Sequence, residues 1–350
     1  MSDYELSTIY PENTRAMAAV DTLLKKEGIR RDAHLEHTLG LWDRDGGLVA
    51  TGSYFRNTLR CMAVDSAHRG EGLMNQVVSE LASMEARLGR THLFLYTKCD
   101  KAPVFRDLGF HEIARVDGEV LFMENRRRGF ESYVDELRRE IGGRSGEIQG
   151  AVVMNANPFT LGHQYLLETA AAGCDLLHVF LVSEDASLVP LAVRRRLLRE
   201  GSAHIPNLVY HETGSYMISS ATFPSYFLRD EAAAYSAHAT LDVEVFLRLA
   251  RELGISCRFA GEEPFSEVTG LYNRTMAERL PEAGVRFVEV PRLQREGAAV
   301  SASHVRALLK AGELDAVREL VPPSTYTYFA SEEAEPVLAA IRAQDDVAHH

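Results

Sequence analysis

The chain has few of the features that mark secreted, membrane-bound or metal-stabilised proteins. Its four cysteines are far apart and form no Cys-x-x-Cys pair, so we expect neither a zinc site nor a disulfide framework. The first residues, Met-Ser-Asp-Tyr-Glu, lack a basic and apolar leader, and no apolar run approaches the roughly 18 residues of a membrane helix. We therefore expect a cytoplasmic protein with no membrane partner.

Basic residues are outnumbered by acidic ones, 38 Lys and Arg against 50 Asp and Glu. The net charge is −12, and the two arginine runs, Arg126–Arg128 and Arg194–Arg196, are short and lie among acidic residues, so nucleic acid is not expected as the main partner. With 46% apolar and 25% charged residues, the composition is ordinary for a soluble globular protein. A chain of 350 residues exceeds what one core usually spans, so two domains are expected.

The segment Met154 to His163 reads Met-Asn-Ala-Asn-Pro-Phe-Thr-Leu-Gly-His, between an apolar strand-like run and a helical stretch from Thr160. A strand, a tight turn and a helix start predict a nucleotide site, because helix-start N–H groups are unpaired and the helix dipole is positive there. Gly162 allows a nucleotide to approach the backbone, and His163 can donate to phosphate oxygens. The alternative is a plain turn at Asn157 followed by a polar helix start.

A second segment, Val300 to Arg306, reads Val-Ser-Ala-Ser-His-Val-Arg and precedes another helix-like stretch. Ser301 and Ser303 are typical helix caps, which is the alternative for either serine alone. Arg306, one helical turn further, can act as a charged clamp on the leaving pyrophosphate. Both segments resemble signatures of adenylyl-transferring enzymes, (H/T)xGH and Ile-Ser-Ser-Thr-x-x-Arg. Two such elements about 140 residues apart are much less expected by chance than either one.

Three further stretches of the second half bear on this site. The strand 175–182 ends at Ser-Glu-Asp, and the following helix carries Arg194, which we expect to point at phosphate. The hydroxyl-rich stretch 218–226 either lines a small-acid pocket or is a polar loop. Gly261 and Glu262 end another strand, where a carboxylate can assist Mg²⁺ or adenosine binding, although acidic loops are usually just solvated.

The first half has its own strand, glycine-bearing loop and helix. Predicted strands at 48–55 and 58–64 precede a loop with Arg69, Gly70 and Gly72, which has the phosphate-cradle geometry suited to a pyrophosphate. Together with the later Phe-x-x-x-Gly-Phe at 105–110, the loop resembles the acyl-CoA-dependent N-acetyltransferase (GNAT) fold. Both glycines also fit simple turns.

One residue departs from the GNAT pattern. Met74 stands where that motif usually has Gly or Ala, and its side chain can crowd the approach of a CoA pyrophosphate. The sequence therefore supports the fold more strongly than acetyltransferase activity.

These observations predict an α/β chain with a GNAT-like α+β domain followed by a Rossmann-like, parallel-sheet nucleotidyltransferase domain of the HIGH superfamily. We place the GNAT-like domain at 1–126, a helical connector with a flexible Gly-Gly joint at 127–147, the adenylating domain at 148–330 and a tail at 331–350 that forms a fraying helix. His349-His350 is expected to be a disordered end. No residue is assigned as a metal ligand.

The second half contains further motifs: Phe-Leu-Val-Ser-Glu-Asp, Ile-Ser-Ser-Ala-Thr-Phe-Pro-Ser-Tyr-Phe-Leu, Gly-Glu-Glu-Pro-Phe with Val-Thr-x-x-Tyr-Asn, and Leu-Val-Pro-Pro-Ser-Thr-Tyr. Together with the two segments above and a GNAT-like first domain, they resemble the citrate lyase ligase family across nearly the whole chain. The resemblance implies that ATP and acetate form acetyl-adenylate and pyrophosphate, with Mg²⁺ neutralising the triphosphate. It also implies transfer of the acetyl group to the thiol of the phosphoribosyl-dephospho-CoA group on the acyl carrier subunit of citrate lyase.

On this basis the candidate residues form three groups. Those expected to act in adenylyl transfer are Thr160, His163, Ser301, Ser303 and Arg306. Those expected to bind the nucleotide are Asn155, Asn157, Phe159, Gly162, Arg194, Gly261 and Glu262. Those expected to bind a CoA-like group are Arg69, Gly70 and Gly72.

Three alternatives remain open at this point. The first is a ligase that acetylates the carrier protein of malonate decarboxylase by the same reaction. The second is an adenylyltransferase that makes a dinucleotide and needs no acetate. The third belongs to a different class, a sensor or scaffold without catalysis whose GNAT-like domain reads CoA.

Overall fold

The computed structural model describes residues 3–344 except 184–186, 218–222, 225, 227, 229–230, 263–266 and 296, and describes only the backbone of 231–232 and 267–269. The chain forms two compact units, Met1–Ser132 with Phe223–Glu244 and Tyr133–Thr222 with Val245–His350. The finer limits expected from sequence, 1–126, 127–147, 148–330 and 331–350, remain predictions.

The first unit is built on a seven-stranded mixed sheet with the order β1-β2-β3-β4-β5-β7-β6, in which only β4 and β5 are parallel neighbours. Its elements are β1 (Glu5–Thr8), α1 (Thr14–Lys26), β2 (His37–Trp42), β3 (Leu48–Phe55), β4 (Thr58–Val64), α2 (Leu73–Arg87), β5 (Phe94–Thr97), α3 (Ala102–Asp107), β6 (His111–Val116) and β7 (Val120–Glu124). This arrangement confirms the GNAT-like α+β class, and the predicted bounds of β3 and β4 are correct.

Helix α2 follows directly from the glycine loop. Gly72 precedes it with φ of 74°, a left-handed conformation that glycine adopts without strain. Leu73, Val77 and Leu81 recur four residues apart, so they share one helix face, and all three are buried in the core of the unit. The buried face fixes the helix, and the loop Arg69–Gly72 stays exposed at its start.

The second unit is built on a five-stranded sheet, all parallel, with the order β10-β9-β8-β11-β12. The elements of the chain from α4 onward are α4 (Gly129–Ile141), β8 (Gln149–Met154), α5 (Leu161–Ala172), β9 (Leu176–Leu181), α6 (Leu191–Gly201), β10 (Leu208–Glu212), α7 (Glu231–Leu253), β11 (Cys257–Gly261), α8 (Glu267–Glu282), β12 (Arg286–Val290), a short hairpin β13 (Gln294–Arg295) and β14 (Ala298–Ala299), α9 (Ala302–Ala311), α10 (Leu314–Val317), α11 (Pro323–Phe329) and α12 (Glu335–Ala343). Two of these helices are divided between the units: α4 before Tyr133 and α7 as far as Glu244 belong to the first unit, and the remainder of each belongs to the second. The predicted Rossmann-like class is confirmed.

The strand order reverses at β8. From β8 the chain builds outward to β9 and β10, and then crosses over to place β11 and β12 on the other side. Strands β8 and β11 pair only at Gly150–Cys257 and Ala151–Arg258, near their amino ends. Open α/β sheets bind ligands outside the carboxyl ends of the strands at such a reversal, so this crevice is where a site is expected.

A helix, α4, is present within the stretch expected to be a helical connector, and from Tyr133 onward it belongs to the second unit. Tyr133 donates from its hydroxyl to the carbonyl oxygen of Glu212 at 2.8 Å, and Glu140 Oε2 lies 2.6 Å from Nδ1 of the buried His211. The predicted joint follows, with Gly142 and Gly143 at φ of 63° and 78°. A truncation at Arg144 would therefore remove a partner of a buried histidine.

The tail is helical as predicted. Helix α12 is held by Val337 and Ile341, both of which are buried in the core of the second unit. The expectation for His349-His350 lies outside the described residues. Among the described helices, none combines the length and apolar character needed to cross a bilayer.

Candidate active site

The first predicted motif forms the link from the carboxyl end of β8 to the start of α5. Ala156 has φ of 51°, an unusual value for a residue with a side chain, and Phe159 is fully buried in the core of the unit. Thr160 then caps α5 in an extended conformation. The buried phenylalanine and the cap together fix where the helix begins.

Thr160 and His163 form a reciprocal cap at the start of α5. The backbone N–H of His163 donates to Thr160 Oγ1 at 3.3 Å, and the backbone N–H of Thr160 donates to His163 Nδ1 at 3.1 Å. Since an N–H group can only donate, Nδ1 must be the acceptor. The neutral imidazole therefore carries its proton on Nε2, which is left to donate elsewhere.

The environment of His163 keeps the ring neutral. Burial lowers the pKa of His163 to about 4, and the nearby positive charges of Arg292 and Arg306 add to this effect. The ring lies nearly parallel to that of Phe159, with centroids 5.7 Å apart and 18° between the planes. The site thus holds a neutral, oriented hydrogen-bond donor at neutral pH.

Most of the first N–H groups of α5 already have partners. Leu161 N donates to the carbonyl oxygen of Leu320 at 2.9 Å, and His163 N and Gln164 N donate to the side chain and the carbonyl of Thr160. Within the described part of the chain, we find no partner for the N–H of Gly162. This group is the backbone donor that an anion at the helix start would meet.

The second motif caps α9 and reaches back to the first. Ser301 Oγ accepts from the N–H of His304 at 3.1 Å, as the helix-cap alternative foresaw. Arg306 is buried, with only 2% of its surface exposed, and its Nη1 donates to the carbonyl oxygen of Asn157 at 2.6 Å. Its Nη2 also lies 3.4 Å from Ser303 Oγ. A guanidinium therefore links the two motifs directly.

Gly162 gives a second contact between the motifs. A Cβ placed on Gly162 would lie 2.7 Å from the carbonyl oxygen of Val300, too close for any side chain at this backbone position. Glycine is therefore required here by the packing of one motif on the other, in addition to the nucleotide approach that the sequence suggests. The two segments, about 140 residues apart in sequence, meet at the carboxyl edge of the sheet.

Arg194 is placed differently from the expectation that it points at phosphate. It is fully buried, and it donates from Nε to Val189 O at 3.0 Å and from Nη1 to Val182 O at 2.8 Å and to Asn155 O and Oδ1 at 2.9 and 3.0 Å. These carbonyls belong to the segments that follow β8 and β9. The arginine thus supports the loop that carries Asn155, and we expect it to position the site.

Asn157 is held just as firmly. It is 2% exposed, and its Oδ1 accepts from the N–H of Val189 at 3.0 Å. Its Nδ2 is buried with no hydrogen-bond partner among the described residues. A buried donor without a partner is uncommon in folded proteins.

The carboxyl end of β11 forms the other wall of the crevice. The carbonyl of Gly261 accepts from Asn273 Nδ2 at 3.0 Å, and no described atom lies within 4 Å of a Cβ built on Gly261. Glu262 is exposed, and its backbone bonds with Val290 and with Arg292 Nε, the latter at 2.7 Å. The open space at Gly261 is compatible with a ligand close to the backbone.

Sequence reasoning missed Arg292. Its signal was available, because a cation two residues after a strand lies at the carboxyl edge of a parallel sheet. Other candidates fall outside the described residues: Glu184 and Asp185 after β9, most of the hydroxyl-rich stretch 218–226, and the acidic-aromatic turn 263–265. In the described ranges, no group of three or more His, Cys, Asp or Glu residues has the geometry of a metal site.

The loop Arg69–Gly72 lies in the first unit. Gly70 and Gly72 have φ of 87° and 74°, and a Cβ on either would meet no atom within 4 Å among the described residues. Arg69 Nη2 donates to Glu27 Oε2 at 2.6 Å and is exposed. The glycines are therefore required by backbone conformation, and the loop surface is open to solvent.

Known proteins resemble the chain over most of its length. Residues 149–329 match the protein-family profile described as the citrate lyase ligase C-terminal domain. The [citrate [pro-3S]-lyase] ligase of Escherichia coli K12 is 37% identical over 320 residues, covering 90% of this chain and 90% of that protein. That of Klebsiella pneumoniae is 38% identical over 315 residues, covering 89% and 91%.

Solved structures match the first part of the chain. An acyl-CoA N-acyltransferase from Pseudomonas aeruginosa is 19% identical, covers 35% of this chain and 99% of its own, and superposes with a TM-score of 0.30. The ribosomal-protein-S18-alanine N-acetyltransferase of Escherichia coli is 16% identical, covers 35% and 92%, and has a TM-score of 0.28.

Proposed function

The chain belongs to the citrate lyase ligase family, and from this premise we propose that it is an ATP-dependent acid–thiol ligase that activates citrate lyase. In the proposed reaction an acetate oxygen attacks the α-phosphorus of ATP, the bond to pyrophosphate breaks, and acetyl-adenylate forms. A thiolate of the acyl carrier subunit then attacks the acetyl carbon, and AMP leaves. The products are the acetyl thioester, AMP and pyrophosphate.

The contact between the two motifs carries this proposal. Attack of a carboxylate on phosphorus needs little covalent help from the protein, so the site must supply positioning and charge stabilisation. The bond from Arg306 to the carbonyl of Asn157 and the packing of Gly162 on Val300 bring neutral donors and a fixed cation to one edge of the sheet. This edge lies at the reversal of the strand order, where such sheets bind nucleotides.

In the proposed mechanism, different residues bind the ground-state phosphate, stabilise the transition state and position these groups. The N–H of Gly162 and the helix dipole suit the ground-state α-phosphate, because both are fixed before the reaction. His163 Nε2–H suits the oxygens that gain charge as the bond to pyrophosphate breaks. Arg306 contributes positive charge, and Thr160 orients the imidazole through Nδ1. Ser301 and Ser303 place α9 and the guanidinium.

The residues present also fit ATP and Mg²⁺. No described atom lies within 4 Å of a Cβ built on Gly261, which suits the approach of a nucleoside to the strand end. Mg²⁺ is generally bound through substrate phosphates and one or two carboxylates, and the exposed Glu262 is a carboxylate at this edge. When bound, the ion would neutralise part of the triphosphate charge.

The decisive test is ATP–pyrophosphate exchange with full-length protein. We expect exchange that requires acetate and then acetylation of the carrier subunit of citrate lyase on its thiol. Exchange without acetate would instead support a dinucleotide-forming adenylyltransferase, and preference for the malonate decarboxylase carrier would change the partner. No exchange in either condition, with ATP bound, would support the sensor alternative.

For the first unit we propose a docking role for the carrier's CoA-like prosthetic group. Such a group shares a pyrophosphate and a pantetheine arm with CoA, and the exposed loop Arg69–Gly72 offers backbone N–H groups at the start of α2. The loop belongs to a different unit from the adenylylation site, so the two half-reactions should be separable by mutation.

Gly72→Val should leave acetate-dependent exchange intact and slow acetylation of the carrier thiol. The β-branched side chain disfavours φ of 74° and fills the open face of the loop. Gly118→Val is a matched control, because Gly118 has φ of 77°, is exposed and also faces open space in the same unit. If both variants acetylate the carrier equally well, the loop has no role in docking.

A further inference from the structure

Arg292 lies beside the proposed adenylylation site, although neither motif contains it. It follows β12 by two residues, and β12 pairs with β11, the strand that forms one wall of the crevice. Its Nε donates to the carbonyl oxygen of Glu262 at 2.7 Å, and its side chain is half-buried. The guanidinium is therefore anchored at the carboxyl edge of the sheet.

A backbone hydrogen bond connects Leu293, the residue after Arg292, to the second motif. The carbonyl of Leu293 accepts from the N–H of Val300 at 2.9 Å, and the carbonyl of Val300 faces Gly162 at the start of α5. The position of Arg292 is thus fixed by two contacts: its own bond to the residue after β11, and the bond of its neighbour Leu293 to the second motif. A substrate between these elements would lie close to it.

The distribution of positive charge also favours Arg292 as a ligand for phosphate. Arg194 and Arg306 are both buried, and the hydrogen bonds described above hold them on backbone carbonyl and side-chain oxygens. Arg292 keeps part of its surface exposed. Burial lowers the pKa of Arg292, with Glu262 opposing the shift, so the cation is partly desolvated and gains from a bound anion.

The positive charge of Arg292 also acts on the proposed transition-state donor. With that of Arg306, it adds to the effect of burial and lowers the pKa of His163. The same charge would attract the phosphate oxygens that this imidazole is proposed to meet.

On the basis of the proposed function, we propose that Arg292 is a phosphate-binding residue of the adenylylation site and contacts the pyrophosphate part of the bound nucleotide. It anchors the β- and γ-phosphates in the substrate and the pyrophosphate in the product. Because ground state and product share this contact, Arg292 contributes mainly to binding, whereas His163 contributes to turnover.

The test uses the full-length protein with Arg292→Gln, Arg292→Lys and, as matched control, Arg286→Gln at the exposed amino end of the same strand. Dissociation constants for ATP and for inorganic pyrophosphate are measured by calorimetry, and the KM for each is measured in exchange. We expect Arg292→Gln to weaken both ligands about 10-fold or more, the lysine variant to be intermediate, and the control to be unchanged.

A second readout separates ligand binding from a structural role. Removing the charge at Arg292 should raise the pKa of His163, followed by NMR titration of the imidazole, and Arg292→Lys should largely restore it. Unchanged affinity for ATP and pyrophosphate in Arg292→Gln overturns the proposal, even if the imidazole pKa rises. If the glutamine variant does not fold, the lysine variant must show weaker pyrophosphate binding, or the proposal fails.

The binding and exchange measurements can fail separately, so they test the role of Arg292 and the proposed function independently. Wild-type protein that binds ATP and pyrophosphate but shows no acetate-dependent exchange contradicts the ligase assignment alone. The two titrations still decide whether Arg292 binds phosphate.

Discussion

His163→Ala is expected to lower the turnover of acetate-dependent ATP–pyrophosphate exchange on the order of 100-fold or more, with little change in the KM for ATP. The ring accepts from Thr160 through Nδ1, so Nε2–H is aimed away from the cap and can meet charge that develops on the phosphate oxygens. In the proposed mechanism, ground-state binding instead relies on the N–H of Gly162 and on fixed positive charge. Steady-state exchange kinetics at saturating ATP measure both quantities.

His204→Ala is a suitable control, since His204 is an exposed histidine of the same unit that pairs with Glu168. The pH dependence provides a further check. Because the folded-state pKa of His163 is about 4, the ring is neutral at and above pH 6, and turnover should show no inflection from it near 6.5. Loss of activity through this ring is expected only as the pH falls towards 4. An unchanged rate in His163→Ala would leave the residue as a helix cap alone.

Local features of the site were predictable because they follow from short-range physics. The helical stretch expected from Thr160 is α5, which begins one residue later with Thr160 as its cap. The two strand-like runs on either side of residues 56–57 gave β3 and β4 their correct limits. Ser301 shows the limit of such reasoning, because the same residue satisfies both the cap and the phosphate interpretation. Its hydrogen bond to His304 establishes the cap and leaves the second role as a prediction.

Features that depend on long-range packing were not predictable in the same way. The run Arg194–Arg196 looks like one charged surface, but successive helix positions point about 100° apart, so Arg194 is buried while Arg195 and Arg196 are exposed. For Arg292, the strand before it indicates a position at the carboxyl edge of the sheet, but its neighbours depend on the strand order. That order places β12 beside β11, and no local pattern in the sequence specifies it.

Gly162 illustrates how sequence and structure can give different reasons for the same residue. The sequence suggests that glycine allows a nucleotide close to the backbone. The structure shows that the carbonyl of Val300 already occupies the position of a side chain. The glycine thus first allows the two motifs to pack together. Its N–H, which has no partner among the described residues, is the group that a phosphate would use. Both requirements can hold at once because they involve different atoms.

Arg306→Ala is expected to have the largest combined effect, lowering the free energy of unfolding by about 3 kcal/mol and abolishing exchange. The guanidinium is buried and bonds to the carbonyl of Asn157, so its loss leaves a buried acceptor without a partner and removes a direct link between the motifs. Chemical denaturation measures the first effect. The loss of exchange is measured at a low temperature at which circular dichroism shows that the variant is folded.

Two further variants show whether the effects of Arg306→Ala come from the lost charge or from the lost hydrogen bonds. Arg306→Lys keeps the charge but cannot reproduce the fork of the guanidinium, so we expect partial stability and a large loss of exchange. Arg342→Ala removes an exposed arginine of α12 that pairs with Glu335, and it should change stability by about 0.5 kcal/mol or less. If Arg306→Ala unfolds like the wild type and still exchanges, the bond to Asn157 does not couple the motifs. A folded Arg306→Ala without exchange would instead show that adenylyl transfer depends on this charge beyond its contribution to stability.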